Sequence, residues 1–158
     1  MKLAYLVDCD QHIDTVSKWL YKQWGFHYSD KTRQDYLKEV QDRLNRQTIP
    51  TTFIALQDRE PIGTASLIKH DMDTHKHLTP WLADVYVKPE FRNKGIGSRL
   101  VRRVMKEAKD ININRLYLFT REAKDFYLTM SWRVKKTTEY HGDQVDLMFF
   151  DFNKKIDC

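Results

Sequence analysis

One short segment, Arg92–Ser98, places cationic side chains and two glycines between a predicted strand and a predicted helix. Gly95 and Gly97 remove Cβ atoms where a ligand could approach backbone N–H groups. Unpaired N–H groups at a helix start attract anions, as does the helix dipole, and Arg92 and Lys94 add positive charge. The segment therefore predicts a diphosphate-binding turn. The alternative is a plain strand-to-helix turn with a pair of glycines.

Two common phosphate-binding motifs do not match this segment. A Walker A loop requires four residues between its glycines and then Gly-Lys-Ser/Thr, and that order is absent here. The dinucleotide fingerprint requires a third glycine at the position that Leu100 occupies. Both motifs are set aside.

The elements that must position the turn follow from hydrophobic periodicity and turn residues. Predicted strands are Leu3–Val7, Thr51–Leu56, Ile62–Lys69, Leu82–Val87, Leu116–Thr120, Trp132–Thr138 and Val145–Phe152. Predicted helices run from Asp10 to about Gln23, onward from Asp30 or Thr32, from about Ser98 to Lys109, and from about Glu122 to Met130. This order combines hairpins with a strand–helix–strand crossover, which predicts an α+β, or mixed α/β, sheet covered by helices.

The composition sets limits on location and partners. The chain has 158 residues and a net charge of +5, which fits one globular domain over residues 1–158. No apolar run approaches the ~20 residues of a membrane span, and Asp8 comes too early for a signal peptide, so we expect a cytoplasmic protein without a membrane partner. Cys9 and Cys158 indicate no disulfide framework. The positive charge suits a phosphorylated cofactor, nucleic acid or an anionic membrane.

The turn resembles motif A of the GNAT superfamily of N-acetyltransferases, whose pattern is Arg/Gln-x-x-Gly-x-Gly/Ala. Arg92, Gly95 and Gly97 match this pattern in place. The preceding strand, the following helix and the next strand, Leu116–Thr120, also occur in the family's order. The similarity is strongest over Trp81–Trp132.

A second segment, Ala123–Trp132, is similar to the family's next motif, which usually ends Tyr-x-x-x-Gly-Phe. Here Ser131 and Trp132 replace Gly-Phe, and Thr120 stands where Asn is common. These departures affect the expected contact between the coenzyme and the last helix, while the rest of the match is kept.

The resemblance implies a fold and a co-substrate. The fold is GNAT-like, a central twisted mixed sheet of about seven strands flanked by about four helices. Strand Trp81–Val87 should splay from its parallel neighbour, so that the pantetheine arm of acetyl-CoA lies in the opening and the diphosphate meets the turn. The implied coenzyme-binding residues are Val85, Tyr86, Val87, Arg92, Asn93, Lys94, Gly95, Ile96, Gly97, Ser98, Thr120 and Tyr127.

The implied reaction transfers the acetyl group of acetyl-CoA to a primary amine by direct attack in a ternary complex, without a metal. Tyr127 is expected to protonate the CoA thiolate; the alternative is aromatic core packing. The Val85 N–H is the implied donor to the thioester carbonyl. Asp84 is a candidate general base, acting directly or through water; the alternative is a polar residue on a half-buried strand.

The amine acceptor is a small molecule or a peptide, and the sequence does not identify it. Trp24, Tyr28 and Trp81 are candidate acceptor contacts, with core packing as the alternative for Trp24 and Tyr28. A homodimer is left open. Two other functions also stay open, a CoA-binding sensor without turnover and a basic nucleic-acid-binding module.

Two charged clusters are interpreted as solvated surface. Five basic residues on the predicted helix suit nucleic acid or the 3′-phosphate of the coenzyme, although the exposed side of an amphipathic helix is preferred; they are Arg99, Arg102, Arg103, Lys106 and Lys109. A second cluster matches no zinc or calcium motif and predicts a loop that could border the acceptor pocket; it comprises His70, Asp71, Asp73, His75 and His77.

Overall fold

The computed structural model describes residues 1–153, and Cys158 lies outside them. The strands are β1 Lys2–Tyr5, β2 Thr51–Gln57, β3 Glu60–Ile68, β4 Trp81–Val87, β5 Arg115–Thr120, β6 Arg133–Tyr140 and β7 Asp143–Asp151. The helices are α1 Ile13–Trp24, α2 Arg33–Gln41, α3 Ile96–Asp110 and α4 Lys124–Leu128. No helix in this described part is long and apolar enough to cross a membrane.

All seven of these strands form one mixed sheet in the order β1-β2-β3-β4-β5-β7-β6. Neighbouring strands are antiparallel except for β4 and β5, which are parallel. The helix α3 makes the crossover between those two parallel strands, as such a connection requires. The mixed sheet with hairpins at both ends is the predicted architecture.

Helices cover both faces of the sheet because side chains along each strand alternate between faces. On β2, Phe53 packs in the same buried cluster as Leu100 and Val104 of α3. Its neighbour Ile54 packs on the opposite side with Val16 of α1 and with α2. Each helix therefore buries its apolar side, and the sheet forms the middle layer.

Local interactions explain where the helices begin. Thr32 caps α2 through a reciprocal box, because its hydroxyl accepts from the Asp35 N–H while the Asp35 carboxylate accepts from the Thr32 N–H. Of the two predicted helix starts, Thr32 rather than Asp30 is therefore the N-cap of α2. The helix α3 begins at Ile96, two residues before the predicted start, because Gly95 with φ +80° serves as its N-cap.

The other predicted boundaries also shift. Strand β1 ends at Tyr5 because residues 6–8 turn into a 3₁₀ helix that buries Leu6. A second 3₁₀ turn spans Asp10–His12, so α1 starts at Ile13. The last helix, Lys124–Leu128, is shorter than predicted at both ends.

Two irregularities of β4 open the sheet next to the turn. The pairing with β3 shifts between Thr64 and Ser66, which forms a β-bulge, and Asp84 there has φ +55°. On its other side β4 pairs with β5 only at Trp81 and Tyr117. Beyond that point the two parallel strands diverge, as the resemblance implied.

Candidate active site

The turn after β4 leaves six consecutive backbone N–H groups without an internal acceptor. Asn93 and Gly95 both have left-handed backbone conformations, with φ of +61° and +80°. Across the described residues, none of the N–H groups of residues 93–98 donates to a protein acceptor, and α3 has no side-chain cap. Residues 93–95 are exposed, and Gly97 and Ser98 are half-buried. The loop therefore offers N–H donors at the positive end of a helix.

Arg92 fastens this turn to the end of β4. Its Nε donates to the Val87 carbonyl over 2.8 Å, and its guanidinium lies 5.6 Å from the centre of the Tyr86 ring. Lys94 lies over the Phe91 ring at 5.5 Å. Both cations therefore stay beside the N–H groups and raise the local positive potential.

A cavity of about 940 Å³ lies where β4 and β5 diverge. Residues from the α1–α2 connection, β4, β5 and α4 line it, which brings together parts of the chain far apart in sequence. The lining includes Trp24, Tyr28, Asp71, Asp84, Val85 and Tyr127. Two predicted acceptor contacts, both predicted catalytic residues and three predicted coenzyme-binding residues (Val85, Thr120 and Tyr127) thus share this cavity.

Tyr127 is held by packing and reaches the cavity. Its ring meets Phe126 and Trp132 edge-on, with ring centres 5.0 and 6.1 Å away. Burial raises the pKa of the Tyr127 phenol above its ordinary value, and no hydrogen bond within residues 1–153 offsets that effect. The Thr120 hydroxyl accepts from the Ala123 N–H at 3.0 Å and so fixes the start of the helix that carries Tyr127.

Asp84 forms an ion pair with Arg43, which comes from the turn after α2. The Arg43 side chain is nine-tenths buried and also lies 3.6 Å from a Glu39 carboxylate oxygen. Its third neighbour is Ser66 at 3.5 Å. Sequence reasoning missed Arg43, because the contact spans 41 residues and depends on the folded chain.

Asp71 lines the same cavity and is half-buried. Burial first, and the negative charge of Asp84 second, raise the pKa of its carboxyl to about 7. The loop that contains it was predicted to be solvated surface. His70 and Asp71 of this loop line the cavity, so the loop's place beside an acceptor pocket stays a prediction, while the burial of Asp71 could not be foreseen without the cavity.

The three aromatic residues predicted to contact the acceptor lie in two different environments. Trp24 and Tyr28 line the cavity, and burial raises the pKa of Tyr28 above its ordinary value. Trp81 is fully buried and does not line the cavity, because its indole N–H donates to the Leu78 carbonyl and its ring packs against Tyr117. The structure therefore places Trp81 in the core and not among the residues that could contact an acceptor in this cavity.

The basic side of α3 is partly engaged with the protein itself. Arg103 lies 4.3 Å from the Phe53 ring centre and pairs with the buried Glu107 at 3.5 Å. Lys106 pairs with Asp110. No cluster of three or more His, Cys, Asp or Glu side chains suited to a metal occurs among the described residues.

The chain matches a known family over most of its length. Residues 13–130 match the Acetyltransferase (GNAT) family. The chain therefore belongs to the GNAT acetyltransferase family, and the resemblance in the turn and in the α4 segment is confirmed at the level of the family.

Individual relatives agree with this assignment. A Bos taurus thialysine N-epsilon-acetyltransferase is 38% identical over 73 residues, which are 44% of this chain and 42% of that protein. A Sus scrofa protein of the same name is 37% identical over 57 residues, 34% of each. The matches thus span less than half the length of these relatives. A solved aminoglycoside 6′-N-acetyltransferase complexed with coenzyme A has the same fold, with TM-score 0.78, 18% identity, and coverage of 99% of this chain and 100% of its own.

Proposed function

We propose that this protein transfers the acetyl group of acetyl-CoA to a primary amine by direct attack in a ternary complex. One observation supports this most strongly. The free N–H groups of residues 93–98 follow directly from β4, whose divergence from β5 opens the cavity that Tyr127 lines. This arrangement would bring an anion site, a slot for an extended chain and a proton donor next to one another.

The coenzyme would be held mainly by backbone. The N–H groups of residues 93–98 suit the diphosphate, with Arg92 and Lys94 beside them. Val85, Tyr86 and Val87 on the diverging edge of β4 suit the pantetheine arm, and Thr120 lies at the end of β5 across the opening. A Cβ at Gly97 would meet only ordinary contacts, 3.6 Å from Phe126 and 3.8 Å from Val87, so the glycine is not required by internal packing.

The chain's groups can support each stage of acetyl transfer. The Tyr127 phenol is protonated at neutral pH with or without the rise in pKa that burial causes, and it lines the cavity, where it can give its proton to the departing sulfur. The Val85 N–H would donate to the thioester oxygen as negative charge develops, a contribution of about 3–4 kcal/mol for a preorganised donor. Asp84 is the general base suggested by sequence, directly or through water, although accepting a proton would leave Arg43 buried without its partner.

The acceptor is proposed to be a small-molecule or peptide amine. The names of the bovine relative and of the aminoglycoside enzyme both denote acetylation of a nitrogen. Trp24 and Tyr28 give the cavity an aromatic wall, and carboxylates at Glu39, Asp71 and Asp84 suit a cationic amine.

A turnover screen tests the proposal. The protein is incubated with acetyl-CoA and amine classes (aminoglycosides, polyamines, amino acids and peptides), thiol release is followed, and the acetylated amine is identified by mass spectrometry. We expect turnover with at least one class and its loss in Gly97→Glu. Binding of acetyl-CoA without turnover across the panel would favour a CoA sensor, and absence of binding would refute the proposal.

A further inference from the structure

The carboxylates that line the cavity differ in whether a cation neutralises them. Asp84 pairs with Arg43, Glu39 pairs with Lys31 at 2.7 Å, and Asp143 pairs with His27 at 2.8 Å and Arg121 at 3.0 Å. Glu122 is exposed. The carboxylate of Asp71, by contrast, is half-buried and has neither an ion pair nor a hydrogen bond among residues 1–153.

The position of Asp71 is fixed by the residues that follow it. Met72 is buried in a cluster with Ile68 and Trp81. The Asp73 N–H donates to the Tyr140 hydroxyl over 3.2 Å. The backbone that follows Asp71 is therefore anchored beside the cavity that its side chain lines.

Charges of both signs face Asp71. The acidic neighbours are Asp84 on β4 and Glu39 on α2, and the basic neighbours are Arg43 and Lys31. Two effects raise the pKa of Asp71 to about 7. Burial is the larger, and repulsion by the negative charge of Asp84 is the next. The other titratable groups around it are Tyr28, Tyr140, the adjacent His70 and, across the cavity, His27.

We infer that Asp71 is the general base of the proposed acetyl transfer, and that Asp84 is a positioning residue that holds Arg43. This inference rests on the proposed function and names a further catalytic residue of the same site. A carboxylate without a bound cation can accept a proton, whereas protonation of Asp84 would break its ion pair.

Acetyl transfer removes two protons from the acceptor nitrogen. The Asp71 carboxylate accepts one proton from the ammonium group of the acceptor, and the freed lone pair of nitrogen forms a bond to the acetyl carbonyl carbon. The C–S bond breaks with its electron pair on sulfur, which takes the proton of Tyr127. The nitrogen loses a second proton as the amide forms, and this proton returns to the phenolate through water. Asp71 releases its own proton to bulk solvent.

Kinetics of three aspartate variants test this assignment. The acceptor found by the screen is used at about pH 5.5 to 9, with Asp71→Asn, Asp84→Asn and, as a matched control on the same loop, Asp73→Asn, whose side chain is 62% exposed. We expect Asp71→Asn to lower kcat about 10²- to 10³-fold and to abolish the wild-type inflection near pH 7, with unchanged acetyl-CoA affinity. Asp73→Asn should match the wild type.

Different outcomes separate this inference from the proposed function. A wild-type protein without turnover would refute the proposed function itself. Wild-type turnover combined with an Asp71→Asn variant that raises only KM would make Asp71 an acceptor-binding residue and overturn the inference. An inflection that persists in Asp71→Asn, or disappears in Asp84→Asn alone, would overturn it as well, since a group other than Asp71 would then be responsible.

Discussion

Arg43 and Asp84 form a mostly buried ion pair that joins the turn after α2 to the bulge of β4. The strand next to the proposed coenzyme site and the end of α2, whose Glu39 lines the cavity, are thereby connected through one contact. Removing one partner of such a pair leaves the other charge buried, which costs more than the pair itself contributes.

Arg43→Met should therefore destabilise the fold. We expect the free energy of unfolding to fall by about 3 kcal/mol, because Asp84 would keep a poorly solvated charge. Urea denaturation followed by circular dichroism measures this. Arg46→Met is the matched control, since Arg46 pairs with Asp8 at an exposed site, and its loss should cost no more than about 1 kcal/mol. Equal losses in the two variants would contradict the buried role of Arg43.

Gly97→Glu should abolish coenzyme binding through bulk and negative charge at the proposed diphosphate site. We expect the Kd for CoA to rise at least about 100-fold, measured by calorimetry. Gly97→Ala should fold normally because its Cβ would make only ordinary contacts. Lys109→Gln changes the net charge by the same amount at the other end of α3 and should bind normally. An unchanged affinity in Gly97→Glu would remove the basis of the diphosphate site.

Tyr127→Phe should lower turnover more than donor affinity. Loss of the proton donor predicts a fall in kcat of about 10²- to 10³-fold, with the Kd for acetyl-CoA unchanged. Tyr21→Phe, at a 42% exposed position on α1, is the control. A loss of coenzyme affinity without a loss of kcat would instead indicate a tyrosine that only packs.

Asp71→Asn should change the pH dependence of stability. The folded-state pKa of Asp71, about 7, lies above its ordinary value of 3.8, so folding favours the neutral carboxyl. The stability from this group is present below about pH 4 and is lost as the pH rises through about 7. We expect the wild type to lose free energy of unfolding relative to Asp71→Asn over this range. Urea titrations at several pH values measure the free energy of unfolding of the wild type and of Asp71→Asn. A stability of the wild type that stays constant or rises with pH relative to the variant would contradict the burial of Asp71.

The element order and the turn were predictable from sequence because they depend on local patterns. Each of these features depends on residues that are close together in sequence: the alternation along the strands, the Thr32 cap, and the pair Gly95 and Gly97. The early start of α3 at Ile96 was not foreseen, since it depends on the left-handed conformation of Gly95.

The electrostatic partners in the cavity were not predictable in the same way. Arg43 meets Asp84 across 41 residues, and Asp71 is half-buried at a cavity lined by residues distant in sequence, such as Tyr28 and Tyr127. The burial of Trp81 likewise follows from its pairing with Tyr117 on a strand distant in sequence. These features arise from tertiary packing and leave no local motif.

Backbone N–H resonances give the most direct test of the anion site in the turn. The ¹⁵N-labelled protein is titrated with CoA and, separately, with pantetheine, which lacks the diphosphate. We predict that CoA shifts the amide signals of residues 93–98 and that pantetheine leaves them in place. Amide signals in this turn that stay unchanged while CoA binds would contradict the account.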